Sequence, residues 1–191
     1  CGHFLGKKIT LMGLGLLGRG VGVAKFLAEC GAVLTVTDLK DKIMLAPSLA
    51  KLRKYPNIRF VLGEHKLEDF RDADMIIKAA GVPLDSPSIV EARARGVPVK
   101  MDASLFVELA PDGVVIVGIT GTRGKSTTTQ LVYEILCLWL SGRRTLRPGY
   151  RLPVTGPSRG RIFLAGNVRG MATLPLLKKV RSGDIVVLER A

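Results

Sequence analysis

Short β-branched runs alternate with helix-spaced apolar positions along the first hundred residues. "KITLM" (8–12), "VLTVT" (33–37), "IRFVL" (58–62) and "MIIKA" (75–79) read as strands. Between the first two, Val23, Phe26, Leu27 and Cys30 fall on one face of a helix over 18–30. Residues 48–54 and 86–95 read as further helices, with Ser86 as N-cap ahead of Pro87. Near-continuous apolar strands separated by helices predict a parallel sheet covered on both faces.

The turn signal "PDG" (111–113) precedes a new strand, "VVIVGI" (114–119). A domain boundary is expected there, giving domains 1–110 and 111–191. The second runs strand, loop, helix (125–140), then a Gly/Pro/Arg-rich stretch. Strand "RIFLA", a helix over 171–180 interrupted by Pro175, and strand "IVVLE" follow. Trp139 falls on the apolar helix and is expected in the core.

Two glycine-rich loops carry candidate chemistry. In "GLGLLG", Gly13, Gly15 and Gly18 follow a strand and open a helix, and Asp38 ends the next strand. That is a dinucleotide-fold fingerprint in its required context. Glycines permit a tight turn, and the helix N-terminus offers unpaired N–H groups to a phosphate. The same glycines would also serve close strand–helix packing.

"GITGTRGKSTTT" (118–129) is the more specific signal. Gly121 and Gly124 precede Lys125 and Ser126 at a strand-to-helix junction. In a phosphate-binding loop, backbone N–H groups wrap polyphosphate oxygens, the lysine reaches the terminal phosphates, and the serine hydroxyl ligates Mg²⁺. The spacing departs from the usual loop, because Ile119 stands where its first glycine belongs and Gly118 is one residue early. Glu189, ending "DIVVLE", is placed to complete a metal site, or is merely an exposed strand end.

Composition adjusts this picture. The 191 residues are 47% hydrophobic with 5% aromatics, which suits a packed α/β core. The formal net charge is +13, and no acidic residue occurs between Glu134 and Asp184. Arg143, Arg144, Arg147, Arg151, Arg159 and Arg161 cluster there without the aromatics of a single-strand binding groove, so nucleic acid is not the expected partner. Cys1, Cys30 and Cys137 show no paired spacing, which argues against a disulfide scaffold or zinc site. No apolar run reaches the ~18 residues needed to span a bilayer and no signal peptide is visible, so a soluble, cytoplasmic protein is expected. His3 and His65 sit in no triad-like setting and are read as surface or loop residues.

"GITGTRGKSTTT" resembles the ATP loop of the Mur ligases, which explains the shifted glycine. "ITLMGLGLLGRGVGVAKFLAECGAVLTVTDLK", "KAAGVPLDSP" and "AGNVRG" resemble the branch of that family that adds D-glutamate. The resemblance implies an α/β chain: a Rossmann-like parallel-sheet N-terminal domain followed by the first part of a P-loop ATPase domain. It implies a monomer acting on UDP-N-acetylmuramoyl-L-alanine, ATP and D-glutamate with Mg²⁺. Gly15, Leu16, Leu17 and Gly18 would line the UDP diphosphate, and Asp38, Leu39 and Lys40 would flank the uracil. Gly81 and Asn167 would approach the same substrate.

By the same resemblance, Gly121, Thr122, Arg123, Gly124, Lys125, Ser126 and Thr127 would hold ATP. Lys125 and Glu189 would be catalytic, with Ser126 and Glu189 on the metal. Here "LERA" stands where the family has "LELSS". The resemblance further implies that family segments beyond those seen here are needed for turnover, so this chain by itself is expected to be inactive.

Three other expectations compete. An NAD(P)-dependent oxidoreductase would use "GLGLLG" and leave Lys125 and Ser126 idle. A basic nucleic-acid-binding protein would use the arginine cluster. A sister Mur ligase adding another amino acid would share the ATP loop.

Overall fold

The computed structural model describes residues 1–140, 160–167 and 170–190. The arginines from Arg143 to Arg159 lie outside the described residues. The chain folds as two compact units. The first is Cys1–Glu108 with the returning stretch Arg169–Pro175, and the second is Leu109–Val168 with Leu176–Ala191.

The first unit is built on five parallel strands: β1 (Lys8–Met12), β2 (Val33–Asp38), β3 (Ile58–Leu62), β4 (Met75–Lys78) and β5 (Val99–Lys100). Their order is β3-β2-β1-β4-β5. The chain therefore winds outward from β1 on one side and returns to its other side at β4. That reversal makes a crevice at the carboxyl ends of β1 and β4, where open α/β sheets bind ligands.

Ile9, Leu11, Leu34, Val36, Ile76 and Ile77 form the buried sheet interior. Helix α1 (Arg19–Glu29) covers it with Val23, Phe26 and Leu27, and Cys30 at its C-cap is buried too, so the face read from periodicity is the packing face. Phe26 meets Phe4 edge-on at 5.6 Å between centroids.

Several expectations need correction. Helix α2 is the short Ala46–Ala50 stretch rather than 48–54, since Pro47 sets its first turn and the backbone leaves the helix after Ala50. Helices α3 (Glu68–Arg71) and α5 (Asp102–Leu109) and the two-residue β5 were not legible, being too short or too mixed to show a period. Helix α4 (Pro87–Ala94) begins after Ser86 as expected. Yet the Ser86 hydroxyl makes no capping bond and is buried without a partner among the described residues. Cys1 and Cys30 form a disulfide, Cα atoms 4.6 Å apart, contrary to the reading from spacing. The N-terminal residues turn back on the end of α1, where the Gly6 N–H donates to Gly31 O, and sequence distance does not reveal that approach.

The second unit contains β6 (Val115–Ile119), α6 (Lys125–Leu140), β7 (Ile162–Gly166) and β8 (Ile185–Glu189). The strands are parallel in the order β6-β8-β7, so β8 is central. Ile185, Val186, Val187 and Leu188 are all buried. Among the described residues between β7 and β8 a 3₁₀ stretch (Leu174–Lys178) forms, not a helix over 171–180; Pro175 lacks the N–H an α-helix would need. Trp139 is half-buried rather than core, because within α6 Thr129 alone is fully buried.

Candidate nucleotide-binding sites

Of the candidate substrate-binding residues, all but Asn167 lie in the first unit, at the carboxyl edge of its sheet. Gly13 leaves β1 with φ +96°, and a Cβ there would lie 2.8 Å from the Ala79 Cβ at the end of β4. Gly15 has φ +61° and Gly18, the N-cap of α1, has φ +88°. The turn is held from both sides. The Gly15 N–H donates to Asp38 Oδ2 at 2.9 Å, and its carbonyl accepts from the Ser48 hydroxyl at 2.8 Å. Asp38 Oδ1 accepts the Lys40 N–H at 2.9 Å.

Asp38 is thus buried and committed to shaping the loop. Leu16, Leu17 and Leu39 stand exposed around it. Gly81 lies in the exposed loop that follows β4. Helix α1 has no side-chain cap and no acidic residue in its first turn, so its N-terminal dipole is open to an anion.

Sequence reasoning missed Ser48, which no spacing rule connects to a glycine 33 residues away. It also missed Gly20. A Cβ at Gly20 would stand 2.1 Å from Leu14 O, so this residue lets the first turn of α1 press against the loop. His65 is a loop residue as expected but half-buried, with Nδ1 2.7 Å from Thr37 Oγ1. Burial pulls its pKa below the usual value, against an opposing pull from the Asp38 carboxylate.

In the second unit, residues 120–124 join β6 to α6. Gly121 (φ +150°) and Gly124 (φ +73°) bend the loop, and the N–H groups of residues 122–127 find no acceptor among the described residues. Lys125 folds back, its Nζ donating to Gly121 O at 2.7 Å. Thr122, Arg123, Ser126 and Thr127 are exposed beside it. A ring of unpaired N–H groups with one ammonium at a helix start is suited to hold an anion.

Glu189 is no exposed strand end. It is 3% exposed, and β8 pairs it with Ile119 on one side and Gly166 on the other. Gly166 (φ +91°) would place a Cβ 2.0 Å from Glu189 O, so only glycine fits there. Ser126 Oγ donates to Glu189 Oε1 at 3.2 Å, while Oε2 is buried with no partner among the described residues. An orphaned carboxylate oxygen beside a hydroxyl fits a hard divalent cation. No cluster of three or more His, Cys, Asp or Glu occurs among the described residues. A cation here would therefore take its remaining ligands from phosphate and water, as Mg²⁺ commonly does. Asn167 belongs to this second unit, its N–H donating to Glu189 O at 2.9 Å.

Residues 7–101 match the family described as Mur ligase MurD-like, N-terminal domain. The chain belongs to the Mur ligase family. It is 44% identical over 149 residues to the UDP-N-acetylmuramoylalanine–D-glutamate ligase of Treponema pallidum, covering 75% of this chain and 28% of that protein. It is 38% identical over 183 residues to the ligase of the same name from Geobacter metallireducens, covering 95% and 34%. Among solved structures, the UDP-N-acetylmuramate:L-alanyl-gamma-D-glutamyl-meso-diaminopimelate ligase of Neisseria meningitides overlaps 96% of this chain and 52% of its own, with TM-score 0.49 and 19% identity. The chain spans about a third or less of the length of the curated Mur ligases it matches.

Proposed function

We propose that this chain carries the UDP-sugar site and the phosphate-binding half of the ATP site of a ligase that joins D-glutamate to UDP-N-acetylmuramoyl-L-alanine. The relatives' names support the substrate pair. The observation that carries the ATP half is the Ser126–Glu189 contact beneath a loop of unpaired N–H groups.

The loop 121–127 binds the ATP phosphates through its N–H groups, and Lys125 swings from Gly121 O to the terminal phosphate. Bound Mg²⁺, held by Ser126 and Glu189, would supply charge neutralisation to the transferring phosphoryl group. The substrate carboxylate attacks the γ-phosphorus, the bond to the β-γ bridging oxygen breaks, and ADP leaves. The D-glutamate amine then attacks the acyl carbon, phosphate departs with the bonding pair, and the amine gives up a proton. Lys125 contributes by holding its positive charge where negative charge gathers.

In the first unit Gly15, Leu16, Leu17 and Gly18 take the diphosphate, with Asp38, Leu39 and Lys40 by the uracil; Gly81 completes the substrate contacts of this unit. ATP and UDP-linked substrates put the reaction in the cytoplasm, and a monomer suffices for it. Among the described residues no helix is long and apolar enough to cross a membrane.

Calorimetric titration with UDP-N-acetylmuramoyl-L-alanine, followed by NADH competition, tests the first unit. Saturable binding that NADH does not displace is expected. Binding of NADH in preference to the UDP-sugar would overturn the reading.

A further inference from the structure

Lys78 ends β4 at the switch point, and its side chain is unusual for the position. The residue is 8% exposed, yet no carboxylate among the described residues pairs with it. A buried ammonium normally needs an acid or several acceptors. Here the acceptors are main-chain carbonyls of the next loop. Nζ donates to Val82 O at 2.8 Å and lies 3.5 Å from Ala79 O. Burial lowers the Lys78 pKa, and the Arg93 charge lowers it further, so the ammonium gains nothing from its charged surroundings.

The bonding of the loop is nearly complete on one side and open on the other. The Ala79 N–H donates to Met12 O at 2.8 Å, and the Val82 N–H donates to Ala79 O at 3.1 Å. Val82 packs on the cluster of Met12, Phe70, Ile76, Ile89 and Ala92. With the carbonyls of Ala79 and Val82 drawn to the ammonium, the N–H groups of Ala80 and Gly81 remain without a partner among the described residues. A Cβ at Gly81 would meet nothing within 4 Å, so the loop tip borders open space. The loop also abuts the glycine-rich turn at Gly13.

We propose that Lys78 is a positioning residue for the nucleotide: its ammonium turns the 79–82 loop so that the N–H groups of Ala80 and Gly81 donate to oxygens of a bound uridine diphosphate. This rests on the UDP reading of the first unit. Lys78 does not touch the ligand. It acts by fixing the peptide planes that do, and successive N–H groups turned the same way form an anion-binding concavity.

The test uses the 191-residue chain, with UDP as probe and MgATP as internal control. Lys78→Met keeps the bulk and removes the donors, while Lys78→Arg keeps a donor. The inference expects at least a 10-fold weaker Kd for UDP in K78M, a smaller loss in K78R, and unchanged MgATP affinity in both. Equal UDP affinity in K78M and wild type would overturn it. Absence of UDP binding by the wild-type chain would sink the nucleotide reading and this inference with it. Should K78M fail to fold, amide hydrogen exchange on the wild type decides. Protection of Ala80 and Gly81 by UDP supports the role. Protection of residues 16–18 without those two contradicts it.

Discussion

The hydroxyl of Ser126 donates to the carboxylate of Glu189 across 63 positions of chain, at 3.2 Å, while the other oxygen of that carboxylate is buried and unpaired among the described residues. Each residue alone has an ordinary explanation. Ser126 stands in the first turn of a helix and Glu189 at a strand end. Together they form a metal-ready oxygen pair below a loop of unpaired N–H groups. A buried, half-satisfied carboxylate opposes folding, and a bound cation would complete it.

Replacing Glu189 by Gln should therefore separate stability from binding. E189Q removes a buried charge and is expected to raise the stability of the metal-free second unit by about 1 kcal/mol. It should weaken MgATP binding at least 10-fold while leaving binding of ATP in EDTA little changed. Urea titration followed by fluorescence of Trp139, the single tryptophan, reads the first effect, and calorimetry reads the second. Lower stability together with unaltered MgATP affinity would count against the metal role.

Asp38 ties the glycine-rich turn to the end of β2 through two backbone N–H groups. Truncation to Ala leaves the Gly15 and Lys40 N–H groups without that acceptor, at a cost of about 2–3 kcal/mol to the first unit. UDP affinity should fall more than 10-fold because the turn loses its shape. Circular dichroism melts and UDP titration check both effects.

Two glycines near this turn should respond to very different extents. Gly20→Ala forces a methyl group within 2.1 Å of Leu14 O, a backbone atom that cannot move without displacing the turn. A loss of about 3 kcal/mol is expected. Gly15→Asn places a side chain in open space at φ +61°, a region asparagine tolerates, and should cost about 1 kcal/mol or less. Chemical denaturation of both variants compares them directly.

Asp184 gives the second unit an acid-sensitive anchor. Burial pushes its pKa up. The Arg161 guanidinium at 2.8 Å and the N–H groups of Arg161 and Arg181 outweigh that, holding it below the ordinary 3.8. A depressed carboxylate stabilises the fold above its unfolded pKa and loses that contribution as pH falls through the folded value. D184N should cost about 2 kcal/mol at pH 7. Its gap from wild type should narrow steadily below pH 4. A gap independent of pH would contradict the assignment.

The strands were legible because each is a short β-branched run, and "KITLM" and "IRFVL" have the bounds read from sequence. Helix α6 starts at Lys125 as read, because glycine punctuation and the phosphate-loop pattern coincide there. What stayed hidden depends on contacts between distant residues. The burial of Glu189 follows from its place on the central strand β8, and strand order cannot be read from β8 itself. The Ser48 hydroxyl on Gly15 O, the Cys1–Cys30 bond and the Lys78 ammonium on its two loop carbonyls are likewise products of topology. Trp139 misled because α6 is apolar around much of its surface, and apolar residues such as Leu131 and Ile135 remain exposed.

The central claim is that two separate nucleotide sites share this chain, one on each unit. The most direct measurement is calorimetry of Lys125→Ala, titrated first with MgATP and then with UDP-N-acetylmuramoyl-L-alanine in the same cell. The account predicts no MgATP heat and UDP-sugar binding indistinguishable from wild type. Undiminished MgATP binding, or loss of both ligands in a folded variant, would contradict it.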